Sequence, residues 1–374
     1  MLNRNLRGPN GLLEYVIAKK LCSACGACSN LCPYIDMVKG KGAVIVEACG
    51  LSEGNCYDFC PRTRLDVPAL DQFVFGSQRK DVALGSNISV MKARTVDSEI
   101  GGVAQYGGVV SALVAYALDV GKIDAAVLAK SEDRISGEPT VARNRKEVLE
   151  CVGSTYLACP TVSKVWEVTK REKGRFCVVG TPCQITAIRK MQSSPNVRTS
   201  LKSQEDKVSL LIGLFCTWAL SPDVYSLISE TVGGARVLKV DVPPPPANIF
   251  VVHTEDKVFE IPLDKVRRFI VPSCNVCFDM TNEFADISVG AVEGEKGWNT
   301  VIVRTNTGQE LLQAAHDAGF LEVRPLEPER LNHLCEASLT RKRRVLAEKD
   351  SEKVSYLLTT DEDKSRIIGE QEAH

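Results

Sequence analysis

The chain has 374 residues, 44% of them hydrophobic and 25% charged, which are ordinary values for a folded protein and exclude intrinsic disorder. A chain of this length is expected to form two or three domains, each with its own core. Its 46 lysine and arginine residues balance 47 aspartate and glutamate residues, so no nucleic-acid partner is expected. Fifteen cysteines against four histidines indicate zinc or iron–sulfur chemistry, because thiols inside cells are kept reduced.

The sequence shows neither a membrane segment nor a signal peptide. Its longest strongly apolar run, Val208 to Leu220, has 13 residues, whereas a helix needs about 20 to cross a bilayer. Residues Met1 to Lys20 lack the basic stretch, apolar core and small-residue cleavage site of a signal peptide. We therefore expect a cytoplasmic protein without a membrane span.

The first 70 residues contain two cysteine runs of the bacterial ferredoxin type. The first, from Cys22 to Pro33, is C-x2-C-x2-C-x3-C-P; the second, from Cys49 to Pro61, keeps the closing C-x3-C-P but has one cysteine fewer. In such runs the fourth cysteine binds the other cluster. The first cluster is therefore predicted to be held by Cys22, Cys25, Cys28 and Cys60.

The second cluster is left with Cys32, Cys49 and Cys56 and lacks a fourth thiolate. The missing ligand could be Ser52, Glu53, water or nothing, which predicts either a 4Fe–4S cluster with an unusual ligand or a 3Fe–4S cluster. A zinc knuckle is the alternative, but zinc chemistry does not require the two proline-closed runs. Residues 1–70 are thus predicted to form a small, two-cluster ferredoxin-like domain.

From about Val82 onward, apolar strands alternate with helical stretches, which predicts a larger α/β domain over residues 82–335. The run Pro243 to Pro246 predicts a rigid loop inside it. The charged segment 336–374 is predicted to be a solvated helix with a frayed tail. The predicted helices are Val109–Asp119, Thr161–Glu172 and Gln184–Met191, and the predicted strands are Ala125–Ala129, Phe176–Val179, Leu210–Leu214, Ile249–Val252 and Asn299–Arg304.

Four later cysteines could meet at one edge of the predicted sheet. Cys183 and Cys216 each follow a short buried strand, and ligands of open parallel sheets bind at the carboxyl ends of the strands. Cys274 and Cys277 add a C-x2-C pair. These four form a plausible thiolate site, although separate buried cysteines would also fit. The others are predicted to be small core residues: Cys151, Cys159, Cys177 and Cys335.

A glycine-rich turn, Gly101 to Gly108, stands directly before the predicted helix Val109–Asp119. Exposed amides at such a helix N-terminus could hold a pyrophosphate. The turn is not a G-x-G-x-x-G motif, and a tight turn with close packing would also explain it. Two more segments have the glycine and small polar residues of a cofactor pocket or of ordinary turns: Gly153 to Tyr156, and Asp286 to Gly290 leading to Gly297 to Thr300.

Five ordered segments resemble the coenzyme F420 hydrogenase/dehydrogenase beta-subunit family over roughly Val82 to Leu331. They are Tyr106-Gly-Gly-Val-Val-Ser-Ala-Leu, Gly180-Thr-Pro-Cys-Gln184, Gly213-Leu-Phe-Cys216, Cys274-Asn-Val-Cys277 and Ala285-Asp-Ile-Ser-Val-Gly290. The resemblance implies an α/β domain that binds FAD and a 4Fe–4S cluster. It implies that Cys183, Cys216, Cys274 and Cys277 hold the cluster beside the flavin. It also implies flavin contacts at Gly107, Gly108, Ser111, Gly153, Ser154, Thr155 and Tyr156.

The resemblance further implies an oxidoreductase in which FAD exchanges a hydride with coenzyme F420 and two or three clusters pass single electrons onward. The acceptor would be ferredoxin or a catalytic redox partner of the hydrogenase, formate dehydrogenase or heterodisulfide reductase type. Many relatives carry lysine where this chain has Thr155, so another two-electron partner is possible. The alternatives are a ferredoxin-dependent flavin reductase of an organic substrate and a non-catalytic electron-transfer subunit. Cations available for an acidic F420 tail are Arg143, Arg145, Lys146, Arg267 and Arg268.

Overall fold

A computed structural model describes residues 7–39, 42–131, 135–195, 207–244 and 247–369. Within these ranges the strands are β1 (Ile35–Val38), β2 (Gly42–Ile45), β3 (Leu65–Asp66), β4 (Ser89–Thr95), β5 (Ala125–Lys130), β6 (Glu138–Ala142), β7 (Phe176–Gly180), β8 (Val208–Leu214), β9 (Val237–Asp241), β10 (Ile249–Thr254), β11 (Val258–Pro262), β12 (Ile287–Ala291), β13 (Asn299–Val303), β14 (Leu321–Pro325) and β15 (Leu357–Leu358).

The helices include one π-helical turn, Leu13–Ile17, which continues the first short α-helix. The α-helices are Pro9–Leu12, Asn55–Asp58, Val67–Phe75, Ser98–Val103, Val109–Asp119, Arg145–Leu149, Thr161–Arg171, Pro182–Ser193, Val224–Val232, Leu263–Arg267, Pro272–Asn275, Asn306–Asp317, Pro328–Leu346, Ser351–Val354 and Asp361–Ile368. None of the described helices is both long and apolar enough to cross a membrane.

An eight-stranded sheet forms the core, in the order β14-β4-β13-β12-β8-β7-β5-β6. Its four central strands, β12, β8, β7 and β5, are parallel, and the outer pairings are antiparallel. Helices cover both faces of parallel strands, so these strands are apolar along most of their length. The predicted α/β core is confirmed, and each predicted strand and helix is present with ends that differ by a few residues at most.

A second, three-stranded antiparallel sheet, β11-β10-β9, has its own small core with the helices Val224–Val232 and Leu263–Arg267. Of its strands the sequence predicted only β10, because the other two alternate irregularly between exposed and buried positions. Of the predicted rigid loop, Pro243 and Pro244 are described, and residues 245–246 lie outside the described residues.

The N-terminal cysteine-rich segment packs directly on the α/β core. The Phe59 ring stacks on the buried Trp166 ring with centroids 5.8 Å apart, and Trp166 Nε1 donates a hydrogen bond to the Ala27 carbonyl at 3.0 Å. The Val162 amide donates to the Cys25 carbonyl at 3.1 Å. These contacts join the loop that carries the first cysteine run to the helix Thr161–Arg171.

Replacing Trp166 by phenylalanine is expected to lower the free energy of unfolding by roughly 1–3 kcal/mol, because the Ala27 carbonyl loses its buried donor while the aromatic packing largely remains. Equilibrium urea unfolding followed by circular dichroism measures the change. A variant as stable as the wild type would show that this hydrogen bond does not hold the cysteine-rich segment on the core.

The described part of the C-terminal segment is largely helical and exposed, but some of its charged side chains are buried against the rest of the protein. The predicted boundary between 335 and 336 falls inside the helix Pro328–Leu346, and Lys342 is fully buried, 2.6 Å from Glu283. Strand β15 then pairs in parallel with β3, so this segment fastens the N-terminal part to the core. The burial of Lys342 was not predicted because charged side chains that pair inside the protein resemble surface charges in sequence. Residues 370–374, the predicted frayed end, lie outside the described residues.

Candidate functional site

Four cysteines meet at the carboxyl ends of the central parallel strands. Strands β7 and β8 are neighbours, with Gly180 opposite Gly213. Cys183 lies in the first turn of the helix that follows β7, and Cys216 follows β8 by two residues. The short helix Pro272–Asn275 carries Cys274, and Cys277 comes soon after it. Each of the four thiols lies close enough to the other three for their charges to interact. Thiols related in this way are called electrostatic neighbours. We call Cys183, Cys216, Cys274 and Cys277 the core cysteine group.

Burial disfavours the free thiolate form at three of the four cysteines of this group. Burial raises the pKa of the Cys216 thiol and raises that of Cys274 to about 11. Burial acts on Cys277 too, but the guanidinium groups of Arg62 and Arg341 lower its pKa overall. The Ala219 amide donates to Cys274 Sγ at 3.3 Å. Coordination to a metal deprotonates such thiols and removes the repulsion between them.

The four cysteines that were predicted to hold the first cluster lie together. The charges of Cys25, Cys60 and Cys22 act on the Cys28 thiol, and that of Cys56 acts on it more weakly. Backbone amides surround the sulfurs: those of Ala24 and Ala43 donate to Cys22 Sγ, each at 3.4 Å, and that of Arg62 donates to Cys60 Sγ at 3.4 Å. Cys183 of the core cysteine group is an electrostatic neighbour of Cys25. We call Cys22, Cys25, Cys28 and Cys60 the proximal cysteine group.

Two of the three remaining N-terminal cysteines lie near the third. Cys32 and Cys49 are electrostatic neighbours of Cys56, whose pKa burial raises to about 12. Ser52 and Glu53, the two candidate side-chain ligands, are both exposed. We call Cys32, Cys49 and Cys56 the distal cysteine group.

Among the described residues, no three histidine, cysteine or carboxylate side chains converge as ligands of a single metal ion.

A cavity of about 910 Å³ opens next to the core cysteine group. Most of the predicted flavin contacts line it, together with all four cysteines of that group. Gly107 does not line the cavity. A Cβ atom there would lie 2.7 Å from Asn299 Oδ1 and 2.9 Å from the Ala93 carbonyl, so this glycine permits close backbone packing. The predicted residues that line the cavity are Gly108, Ser111, Gly153, Ser154, Thr155 and Tyr156.

One polar cluster at this cavity was not predicted. Asp241 Oδ1 accepts hydrogen bonds from the Tyr106 hydroxyl at 3.1 Å and the Tyr156 hydroxyl at 3.3 Å. Burial and then the Asp241 carboxylate raise the pKa of both tyrosines, so both remain protonated donors. Asp241 ends β9, 85 residues after Tyr156, and no local pattern in the sequence indicates that they meet.

The candidate cations separate into two kinds. Arg143 and Arg145 form ion pairs with Glu172 and Asp97, whereas Arg267 is exposed and lines the cavity. Three buried cations beside the cysteines were missed: Arg62, Lys190 and Arg341. The only signal for them was that Arg62 follows the Cys60-Pro61 closure of the second run. Of the predicted core cysteines, Cys159 and Cys177 are buried, and Cys151 and Cys335 are half-buried.

The fold and these sites define a cysteine-rich α/β protein of the redox type. The N-terminal and C-terminal models of the coenzyme F420 hydrogenase/dehydrogenase beta-subunit family match residues 90–165 and 173–329, well over half of the chain. The chain belongs to this family, as its motifs predicted.

Individual relatives agree with this assignment. The chain is 34% identical to the beta subunit of coenzyme F420 hydrogenase of Methanothermobacter thermautotrophicus over 252 residues, 66% of this chain and 87% of that protein. It is 28% identical to a subunit of the F420H2 dehydrogenase of Methanosarcina mazei over 81% of this chain and 84% of that protein. This second match covers more of the chain than the segment 90–329.

Solved structures include a similar fold. A chain of the F420-reducing [NiFe] hydrogenase complex from Methanosarcina barkeri matches with a TM-score of 0.65 and 30% sequence identity. The match covers 75% of this chain and 99% of that chain. Nearly all of the hydrogenase chain thus has a counterpart here, and part of this chain lies outside the match.

Proposed function

We propose that this chain is an FAD- and iron–sulfur-dependent oxidoreductase subunit that exchanges a hydride with coenzyme F420 and passes single electrons to ferredoxin or another redox partner. One observation carries the proposal. The core cysteine group and the Gly108 turn at the N-terminus of the helix Val109–Asp119 line the same cavity. A flavin held by that turn would therefore lie beside a cluster held by those cysteines.

The cavity has the size of a ligand pocket and offers groups suited to the phosphates of FAD. Its volume of about 910 Å³ lies within the range of roughly 300–1,000 Å³ that is usual for ligand pockets. Gly108 has φ +69°, and two helix N-termini, at Val109 and Pro182, border the cavity. Amides at helix N-termini bind phosphate groups. When bound, FAD supplies the conversion between a hydride and single electrons.

Coenzyme F420 is proposed as the two-electron partner because the relatives above are named for it. Arg267 is the cation best situated for its acidic tail, since it lines the cavity and is exposed. Tyr106, Tyr156 and Asp241 join the glycine turns to the three-stranded sheet and hold that side of the cavity together. Their role is to orient a substrate, and the transfer itself requires short-range alignment.

In this proposal the three cysteine groups form an electron path that begins at the core cysteine group beside the cavity. We assign a 4Fe–4S cluster to the core cysteine group and another to the proximal cysteine group, whose Cys25 neighbours Cys183. The distal cysteine group, with three thiolates, would hold a 3Fe–4S cluster or a 4Fe–4S cluster with a non-cysteine ligand. Tyr34 and Leu51, each two residues after a cysteine of the distal group, are 40% and 51% exposed and would face a ferredoxin or another redox partner.

Anaerobic purification followed by iron, zinc and flavin quantification tests the proposal. We expect about 11 or 12 irons and one FAD per chain, with little zinc. Added F420H2 should bleach the visible spectrum, because electrons enter both flavin and clusters. Substituting Arg267 by glutamate should raise the F420H2 concentration needed for half-maximal bleaching, while Arg143→Glu, whose cation pairs with Glu172 away from the cavity, serves as the control.

Other outcomes separate the alternatives. Iron and FAD without bleaching by F420H2 contradict the F420 assignment and favour a ferredoxin-dependent reductase of an organic substrate. Iron without FAD favours a non-catalytic electron-transfer subunit. A colourless protein with zinc and no iron contradicts the redox assignment altogether.

A further inference from the structure

Arg62 connects the proximal and core cysteine groups. Its backbone amide donates to Cys60 Sγ at 3.4 Å, while its guanidinium donates to the Ser273 carbonyl at 3.2 Å, one residue before Cys274. The guanidinium also lines a small internal cavity together with Cys183 and Cys277. One residue therefore contacts both cysteine groups, through its backbone on one side and its side chain on the other.

The charge of Arg62 has no carboxylate partner among the described residues. Its side chain is buried, its Nη1 donates to the Tyr356 hydroxyl at 3.2 Å, and its Nε has no hydrogen-bond partner in the described part of the chain. Elsewhere the chain neutralises a buried cation directly: Arg79 lies 2.6 Å from Asp71. An unpaired buried charge is costly, so the compensating anion at Arg62 must be of another kind.

Lys190 is a second buried cation without a described carboxylate partner, and it also lies beside Cys60. It is buried, its Nζ donates to the Cys60 carbonyl and to Thr63 Oγ1 at 2.9 Å, and no described carboxylate lies within ion-pair distance of it. Lys190 belongs to the helix Pro182–Ser193, which also carries Cys183. Two buried cations thus lie beside the thiolates. No described carboxylate neutralises either charge, so a bound anion is needed to do so.

We propose that these two cations set the reduction potentials of two neighbouring clusters: the Arg62 side chain raises chiefly the potential of the cluster at the core cysteine group, and Lys190 raises that of the cluster at the proximal cysteine group. The inference rests on the cluster assignments of the proposed function. A cluster with four thiolates is an anion, and its one-electron reduction adds negative charge. A cation in a low-dielectric interior stabilises the reduced form more than the oxidised form.

The experiment measures the midpoint potentials of the clusters in the whole protein by dithionite titration followed by EPR. The variants are Arg62→Met, Lys190→Met and the control Arg64→Met, whose side chain is 71% exposed. Signals are assigned with Cys216→Ala, which removes a ligand of the core cluster. We expect Arg62→Met to shift the core cluster's one-electron equilibrium about tenfold toward the oxidised form, which is about 59 mV. Lys190→Met should shift the proximal cluster instead.

Two results would overturn the inference: midpoints in both variants equal to those of Arg64→Met, or one cluster shifted equally by both variants. If Arg62→Met does not assemble the core cluster, Arg62→Lys is measured in its place, because lysine keeps the positive charge but not the planar guanidinium group. A near-normal midpoint in Arg62→Lys supports the inference, and a midpoint lowered tenfold there overturns it. The titration requires neither FAD nor F420H2, so a protein that holds its clusters but binds no FAD contradicts the proposed function, while the midpoints still decide the role of the two cations; a protein without iron overturns both.

Discussion

Substitution of Cys216 by alanine is expected to remove about four irons per chain and to stop electrons from leaving the cavity. Cys216 is half-buried two residues after β8, and the charges of the other three members of the core cysteine group act on it. Alanine offers no ligand atom, so a four-iron cluster there loses one of its four protein bonds. Iron analysis, flavin content and the visible spectrum after F420H2 addition measure the effect.

Cys335→Ala is the matched control, because Cys335 is half-buried on the helix Pro328–Leu346 and belongs to none of the three cysteine groups. It should keep its iron and its cluster bleaching. In Cys216→Ala we expect flavin content near that of the wild type but no reduction of the N-terminal clusters. A full iron count in Cys216→Ala would exclude Cys216 as a ligand and, with it, the core cluster as assigned.

The second large effect is expected at Gly26, in the loop of the first cysteine run. Gly26 has φ +88°, and a Cβ atom there would lie 2.7 Å from the Pro160 carbonyl oxygen and 2.8 Å from the Ser163 amide nitrogen. Gly26→Ala therefore combines a left-handed backbone cost with a collision against the start of the helix Thr161–Arg171. We expect a loss of about 3 kcal/mol in the free energy of unfolding, and loss of iron from the proximal cysteine group.

Gly50→Ala is the control for this variant. Gly50 lies beside Cys49 in the same N-terminal part, its φ is not positive, and no atom lies within 4 Å of its added Cβ. Urea unfolding followed by tryptophan fluorescence reports on the contact directly, because Trp166 packs against Phe59. Equal stability and iron content in the two variants would contradict the packing between the cysteine loop and the core.

The local patterns of the sequence were sufficient to predict the central helices and strands of the α/β core. The helix Val109–Asp119 has the predicted ends, because a positive-φ glycine precedes it and its apolar side chains are continuous. Strands β7 and β8 were predicted from short buried runs, and their parallel pairing brings Cys183 and Cys216 to one edge of the sheet. The family followed from five short segments in order, since each surrounds a glycine or cysteine whose spacing is fixed by local geometry.

Long-range pairing limited what could be predicted elsewhere. Gly107 has the local character of a cofactor turn, yet its neighbours are Asn299 and Ala93, which belong to other elements. The sequence around Lys342 is that of a surface residue, yet Lys342 forms a buried ion pair with Glu283. In both cases the decisive partner belongs to a different element of the chain.

The sequence by itself determined the family, through the resemblance of five short segments. It also determined the α/β core and which cysteines are available in each run, because these depend on spacing and on apolar periodicity. Only the tertiary structure decided that the C-terminal segment fastens the N-terminal part to the core, and that Arg62 and Lys190 lie buried beside the cysteines without a described carboxylate partner. The physical reason is that burial and electrostatic compensation are properties of contacts between distant segments. The sequence around a charged residue does not show which anion that residue will contact in the folded protein.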